Sequence, residues 1–421
     1  MKPNYTPFQQ TTIAHQACFA RILSKLTTLT FTRSLGQIML CALSTLPLTA
    51  QALDFNWSGF GTLGYVRSDQ DYAYERVISK NGSFKRDSLL GLQLETTFSP
   101  KWSSTLQARY APNIQHDLRW ELELAWAFVS YRPANDWLLR VGKLRMPMYL
   151  FSENMDVSAS YDVVRMPTEV YTTAPSADYS GISLGRTWQL GIGEFNVEAY
   201  AGKTSLKASD ETARASLRTR TAGLVFKLNQ DENVFHLGLQ QAYVGLETEI
   251  RNGARNQGTG QNSNAPSNAP RPVDDALFAQ LQKEISTRII LVGADLQLHP
   301  QLRLVAEYAK RTAPDFDLPH NSTGAYVTLL SKQGAWTPYA SYARLLTDKS
   351  ARKSQNNRNY FDQSTFAVGS SYALSTRSKL KAEWLQIRLG SNSLLLDNNA
   401  QYNANDRQRL NIFSLTYSAI Y

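Results

Sequence analysis

Cysteine is almost missing from this chain of 421 residues: its two copies are Cys18 and Cys41. Past residue 52 neither a disulfide nor a thiolate site can form. Acidic residues are missing from positions 1–53, where Lys2, Arg21, Lys25 and Arg33 are the only Lys or Arg residues. Residues 1–52 therefore read as a targeting segment. The start is basic and Ser/Thr-rich, and a moderately apolar stretch follows from Leu35, interrupted by Gln37 and Pro47. It closes on Ala50-Gln51-Ala52, the small-x-small pattern that places signal-peptide cleavage after Ala52. Gly, Gln, Ser, Thr and Pro dilute this stretch below a stable span, which disfavours an uncleaved anchor. A mitochondrial presequence also lacks acids, but the small-residue site favours secretion, and Cys41 does not sit in a lipoprotein pattern.

Long apolar runs are also lacking. Downstream of Ala52 no charge-free stretch is long enough for a transmembrane helix, and mean hydropathy is −0.35. Without the leader, 40 basic residues (44 less the four above) face 35 acidic ones, so the formal charge falls from +9 to +5. No Lys/Arg run argues for a nucleic-acid partner. His116, His236, His299 and His320 are scattered without metal-ligand spacing. No Gly-rich phosphate loop or nucleophile elbow appears, and no cofactor is implied.

What the chain does have is alternation. Phe55, Trp57, Gly59, Gly61, Leu63 and Tyr65 fall on one face of a period-two segment, with Asn56, Ser58 and Thr62 on the other. Leu90, Leu92, Leu94, Thr96 and Phe98 alternate with Gly91, Gln93, Glu95 and Thr97 in the same way. Continuing predicts sixteen strands, over 53–67, 87–98, 101–111, 119–132, 136–145, 179–188, 193–203, 217–229, 233–244, 286–298, 301–312, 322–332, 335–346, 363–374, 378–390 and 407–421. Tight turns such as Ser99-Pro100-Lys101, Pro133 to Asp136 and His299-Pro300 alternate with longer polar connections. An even strand count with short turns at one rim and long loops at the other is the layout of an all-β, sixteen-stranded antiparallel transmembrane β-barrel. A soluble β-sandwich would need neither that sorting of turns by length nor aromatics at strand ends such as Trp57, Trp102, Trp120, Trp137, Tyr308, Trp336 and Tyr372, which suit interfacial girdles. One barrel domain is thus expected over 53–421. Residues 245–285, rich in Asn, Gly, Ser and Pro, are expected to form a long exterior loop.

The connection from Met146 to Asp178 is too long for a simple turn and partly apolar. Here LRVGKLRMPMYLFSEN, followed by VVRMPTEVY, resembles the strand-then-constriction-loop segment of the Gram-negative outer-membrane porin superfamily, both the trimeric diffusion porins and the phosphate-selective type. The match covers residues 138–171. The final alternating face, Phe413, Leu415, Tyr417, Ala419 and Tyr421, also resembles the assembly signal of such barrels, with Tyr421 where Phe is commoner. The resemblance implies a homotrimer in the outer membrane of a Gram-negative bacterium. Each barrel would pass small hydrophilic solutes and ions and be narrowed by an inward-folded loop, residues 146–178. It also implies acidic groups on that loop, here Glu153, Asp156, Asp162, Glu169 and Asp178 with a single Arg165, facing basic groups on the wall. Alternation aims Arg109, Arg140 and Arg303 into the lumen. The Pro-Glu-Phe-Gly-Gly signature of enteric porin loops is absent, as is an arginine ladder for phosphate.

Mixed charges on the lumen faces, among them Glu95, Glu121, Glu123, Glu198, Asp295, Glu307, Lys379, Lys381 and Glu383, leave anion or cation preference open. Glu121 and Glu123 lie two apart on one strand face, a spacing two catalytic carboxylates could use, but nothing else points to a sugar cleft. The alternatives are a substrate-specific channel and a receptor or adhesion barrel working through its exterior loops.

Overall fold

The computed structural model describes residues 53–114, 118–174, 176–209, 213–251, 284–314, 321–347, 362–390 and 409–421. The expected leader, its cleavage after Ala52 and positions 252–283 of the expected exterior loop lie outside the described residues. Sixteen strands follow in chain order: β1 Asp54–Ser68, β2 Leu89–Ser99, β3 Trp102–Pro112, β4 Trp120–Tyr131, β5 Trp137–Arg145, β6 Asp178–Leu190, β7 Gly193–Ser209 and β8 Ala213–Gln230. The second half comprises β9 Asn233–Arg251, β10 Ile285–His299, β11 Leu302–Thr312, β12 Ser322–Ser331, β13 Trp336–Thr347, β14 Gln363–Ser375, β15 Ser378–Leu389 and β16 Arg409–Ile420. Each pairs antiparallel with its sequence neighbours, and β1 pairs with β16 (Phe60↔Ile420 to Ser68↔Ile412), so the sheet closes into a barrel without an edge. The backbone of Tyr421 completes the seam: its N–H donates to the Gly59 carbonyl, and its carbonyl accepts from Gly59 N–H, both at 2.9 Å.

The burial pattern is inside-out. Outward positions such as Leu90, Leu92, Val141, Ile182, Leu224, Val292, Val368 and Leu415 are exposed, whereas Glu198, His236, Asp295, Glu307, Lys381 and Glu383 are buried on the inner wall. In water this distribution would be unfavourable by about 25 cal/mol per Å² of apolar surface left exposed. Surrounded by hydrocarbon it is the stable one, because the strands satisfy their backbone within the closed ladder, β4 and β5 with each other only over Ala127–Tyr131. At the short-turn rim Trp102 packs on Tyr131 with ring centroids 4.4 Å apart, and Trp336 on Tyr372 at 4.6 Å, as an interfacial girdle requires.

The strand expectations hold to within a few residues, except around β7 to β9. There the ladder runs on to Ser209↔Arg214 and Ala213↔Arg251, well past the predicted ends at 203, 217 and 244. Apolar alternation stops where the lipid band stops, but backbone pairing needs no apolar face. The connection expected to begin at 245 accordingly begins after Arg251.

Candidate functional site: the lumen and its two inward loops

Between β5 and β6 the chain turns into the barrel and packs on the inner wall of β9 to β15. His236 on β9 donates to the Met148 carbonyl (2.8 Å), and Glu307 on β11 accepts the Leu150 N–H (2.8 Å). The Tyr339 hydroxyl on β13 accepts the Val164 N–H at 3.2 Å. On β15, Lys381 Nζ donates to the carbonyls of Ser158 (2.5 Å) and Val163 (2.9 Å), while Lys379 reaches Asp162 at 2.8 Å. Met146, Met148, Tyr149 and Val170 complete an apolar core with inward residues of the wall such as Ile289, Leu291, Tyr326 and Leu330. Gly238, Gly293 and Gly324 make room for this contact. A Cβ on Gly324 would sit 2.0 Å from the Glu169 carbonyl oxygen.

A second inward segment was not legible in the sequence. The β1–β2 connection, residues 69–88, lays Tyr74 and Ile78 against Ala367, Leu385, Ile387, Leu389, Leu410 and Ile412. Tyr74 donates to Gln363 (3.3 Å) and Glu75 pairs with Arg86. The two loops meet where Arg165 binds Asp87 at 2.7 Å and the Ser414 hydroxyl at 2.8 Å. The one sequence signal was the group Tyr72, Tyr74, Val77 and Ile78, apolar residues that a solvated loop has no use for.

The residues singled out in the sequence fall into three groups. Glu153, Asp156, Arg109 and Arg140 come together: Arg109 bridges Asp156 (3.2 Å) and Glu123 (2.9 Å), and Arg140 lies 3.7 Å from Glu153 and 3.6 Å from Glu198. Asp156 also pairs with Arg145, and Lys143 joins Glu123 (3.4 Å) to Asp178 (3.1 Å). These ion pairs occupy a seam in the wall, because β4 pairs with β5 only over Ala127–Tyr131 and its upper part has no ladder on that side. Burial works against the Asp156 carboxylate, but Arg145 and Arg109 outweigh it and hold its pKa below the ordinary aspartate value.

Asp162 and Arg303 form the second group. Asp162 faces the opposite wall, where Lys379 and Ser371 overcome burial and depress its pKa. Arg303 makes a two-pronged contact with Asp295, beside its turn, with Nε to Oδ1 at 2.6 Å. Between the loop and β11 to β15 lies a cleft of about 60 Å³, lined by Phe151, Tyr161, Arg303, Tyr326, Tyr339 and Glu383 among others.

Arg165 and Glu169 correct the expectation that put them among the constriction charges. The structure buries both between loop and wall. Arg165 is opposed by burial yet held protonated by Asp87 and Glu383. Glu169, 1% exposed, accepts from Thr365 and from Gln363 (2.8 Å), and burial, the largest influence, pushes its pKa up. A loop with an apolar underside must bury some of its polar residues, and sequence alternation carries no information on which.

The two sides of the lumen differ in accessibility. Inward side chains of the first strands, Asn56, Glu95, Thr97, Glu121 and Glu123, are exposed, while those of β9 to β16 are largely buried beneath the loops. Glu121 accepts from Asn113 (2.8 Å) and Glu123 from Arg109, so the two carboxylates are engaged separately. Among the described residues no cluster of His, Cys, Asp and Glu could hold a metal ion.

No family model matches the sequence, and no curated protein aligns with it. Solved structures do match. A loop-deletion form of OmpT, an outer-membrane protein of Vibrio cholerae, superposes with a TM-score of 0.55 over 88% of this chain and 100% of that one, at 12% identity. The fold is that of the outer-membrane porins. The outer-membrane channel DcaP of Acinetobacter baumannii gives 0.53 over 88% of this chain and 97% of that one, at 10% identity. An anion-selective porin from Comamonas acidovorans gives 0.52 over 88% and 100%, at 12% identity. At such identities the porin fold is shared while the lining residues are this chain's own.

Proposed function

We propose that this porin-fold barrel sits in the outer membrane of a Gram-negative bacterium, after removal of residues 1–52. There it lets small hydrophilic solutes and ions diffuse down their gradients. The observation that carries this reading is the uneven lumen: Asn56, Glu95, Thr97, Glu121 and Glu123, inward side chains of β1, β2 and β4, stay open to water, inside a wall whose outer face is apolar. A path beside Glu95, Glu121, Glu123, Glu153 and Arg109 carries both signs of charge in a low-dielectric shell. Fixed side chains of this kind orient water and set which ions pass. Asp156 and Asp162 fix the loop to the two walls, so the width of the path depends on their pairing. Arg303 acts lower down, with Asp295. The porin resemblance adds a homotrimer, which cross-linking in native membranes tests.

Purified protein in a planar bilayer is expected to give stepwise, ohmic current that rises with salt. Insertion without current would defeat the proposal. A second reading, a substrate-specific channel, is favoured by the cleft under the loop, where the aromatic side chains of Phe151, Tyr161, Tyr326 and Tyr339 stand beside Arg303 and Glu383. Block of the current by low concentrations of one solute would select it.

A further inference from the structure

Every methionine past residue 52 lies in one loop. The chain has six; Met1 and Met39 come earlier, and the other four are Met146, Met148, Met155 and Met166. None falls in β1 to β16, although those strands carry the apolar bulk of the protein as Leu, Ile, Val and aromatic side chains. Methionine is an adaptable gap-filler, but packing alone gives no reason to keep it out of sixteen strands. What separates it from leucine is chemical: its thioether takes an oxygen atom from mild oxidants and becomes a polar sulfoxide. Cysteine, the other oxidisable sulfur, does not occur after residue 52.

The structure divides the four into two pairs. Met146 and Met148 are buried in the apolar core beneath the loop. The Met146 sulfur lies 2.8 Å from Gln240 Nε2, and a Cβ on Gly238 would lie 3.1 Å from Met148 Cε. Met155 and Met166 are only half-buried, and each stands next to an ionic anchor of the loop. Met155 precedes Asp156, which binds Arg145 and Arg109. Met166 follows Arg165, which binds Asp87 on the other inward loop and Ser414 on β16. Arg165 holds both partners through Nη2, while its Nε and Nη1 are buried with no acceptor among the described residues. Met166 and Arg165 line the same cleft, together with Val305, Leu330, Leu385 and Ile387. A sulfoxide oxygen on Met166 would be a new acceptor beside that guanidinium, in competition with Asp87. It would also set a polar group among apolar side chains, which is unfavourable wherever it finds no donor.

From this arrangement we infer that Met155 and Met166 are oxidation sites whose conversion to sulfoxide loosens the loop of residues 146–177, while Met146 and Met148 are shielded. The reactant is a two-electron oxygen donor such as hypochlorous acid, a small, neutral, hydrophilic solute of the class the proposed pore admits. Its oxygen goes to the sulfur: an S–O bond forms, the O–Cl bond breaks, the thioether is oxidised by two electrons, and chloride and a proton leave. Oxidation next to both anchors weakens the hold of the loop on the wall, and the path beside it widens. The effect on current rests on the pore reading above; the assignment of the two sites does not.

The test treats the full folded protein in detergent with graded hypochlorous acid, maps sulfoxide by peptide mass spectrometry and records a second portion in a planar bilayer. Sulfoxide is expected at Met155 and Met166 roughly tenfold faster than at Met146 and Met148, because susceptibility follows exposure. Wild-type single-channel current is expected to rise with oxidation and to return after treatment with the two sulfoxide reductases, one for each epimer. M155L/M166L changes side-chain volume little. It is expected to keep its heat-modifiable folded band and, from whatever current it starts, to show no oxidant-dependent change. The single variants M155L and M166L, each expected to lose part of the rise, carry the same comparison should the double variant not fold. Equal or faster oxidation at Met146 and Met148 overturns the sites. Selective oxidation with a steady wild-type current, or a rise that persists in M155L/M166L, overturns their control of the loop. Absence of current before any oxidant counts instead against the pore, and the sulfoxide map then decides the sites alone.

Discussion

Asp156 and Glu169 are carboxylates of the same loop with opposite responses to pH. Asp156 has its pKa depressed by Arg145 and Arg109. Its contribution to stability is therefore full above the unfolded aspartate value, about 3.9, and disappears as pH falls through the lower folded value. D156N should cost about 1.5–3 kcal/mol at pH 7, the range for a hydrogen bond to a charged group. The loss should shrink in acid, as read from the temperature at which the folded band disappears. For Glu169 burial has raised the pKa, so the sign reverses. Stability is full while the carboxyl is protonated, below the unfolded value of about 4.3, and declines as pH rises through the folded one. E169Q is expected to match wild type near pH 4 and to exceed it at pH 7; equal melting at both would show that Glu169 does not titrate in this range. None of this was legible in the sequence, which shows only acidic residues in one loop. Which of them meets arginine and which meets Thr365 and Gln363 is decided by β14, almost two hundred residues away in the chain.

At the scale of elements, strands and loops differ in how far the sequence describes them. A strand facing lipid on one side and the lumen on the other writes its burial into a two-residue period, so β1, β2 and β16 could be read directly. An inward loop has no such period. The loop of residues 146–177 was recognisable by its length and its likeness to porin segments, whereas residues 69–88, with Tyr74 and Ile78 as their main apolar anchors, resembled an ordinary exterior connection. The wall records the loop's position more clearly: Gly324 lies under Glu169, with no space for a Cβ. G324A is expected to push the loop away at a cost of about 1–3 kcal/mol, the usual penalty for overpacking, and to raise single-channel conductance while the barrel still folds. K381M should have a related effect by removing the donor to the Ser158 and Val163 carbonyls. More current noise with an intact folded band is the expected result, and a quiet trace of wild-type amplitude would mean the other contacts hold the loop alone.

For the whole molecule, two loops cover one side of the lumen and leave the side of the first strands open. Along that side Glu123 and Glu153 are the more exposed members of the ion-pair set, at 46% and 63%. The E123Q/E153Q variant should shift the reversal potential in a salt gradient toward anions; no shift would place both outside the ion path. The open side itself can be tested through the scarcity of cysteine, because no thiol follows residue 52. Single cysteines at Glu95, on the open wall, and at Thr416, 1% exposed on the covered wall, can be treated with a charged, water-soluble thiol reagent during bilayer recording. The account predicts that E95C reacts and its current falls stepwise while T416C is unaffected. A current that falls in T416C but not in E95C would mean that ions take the other side.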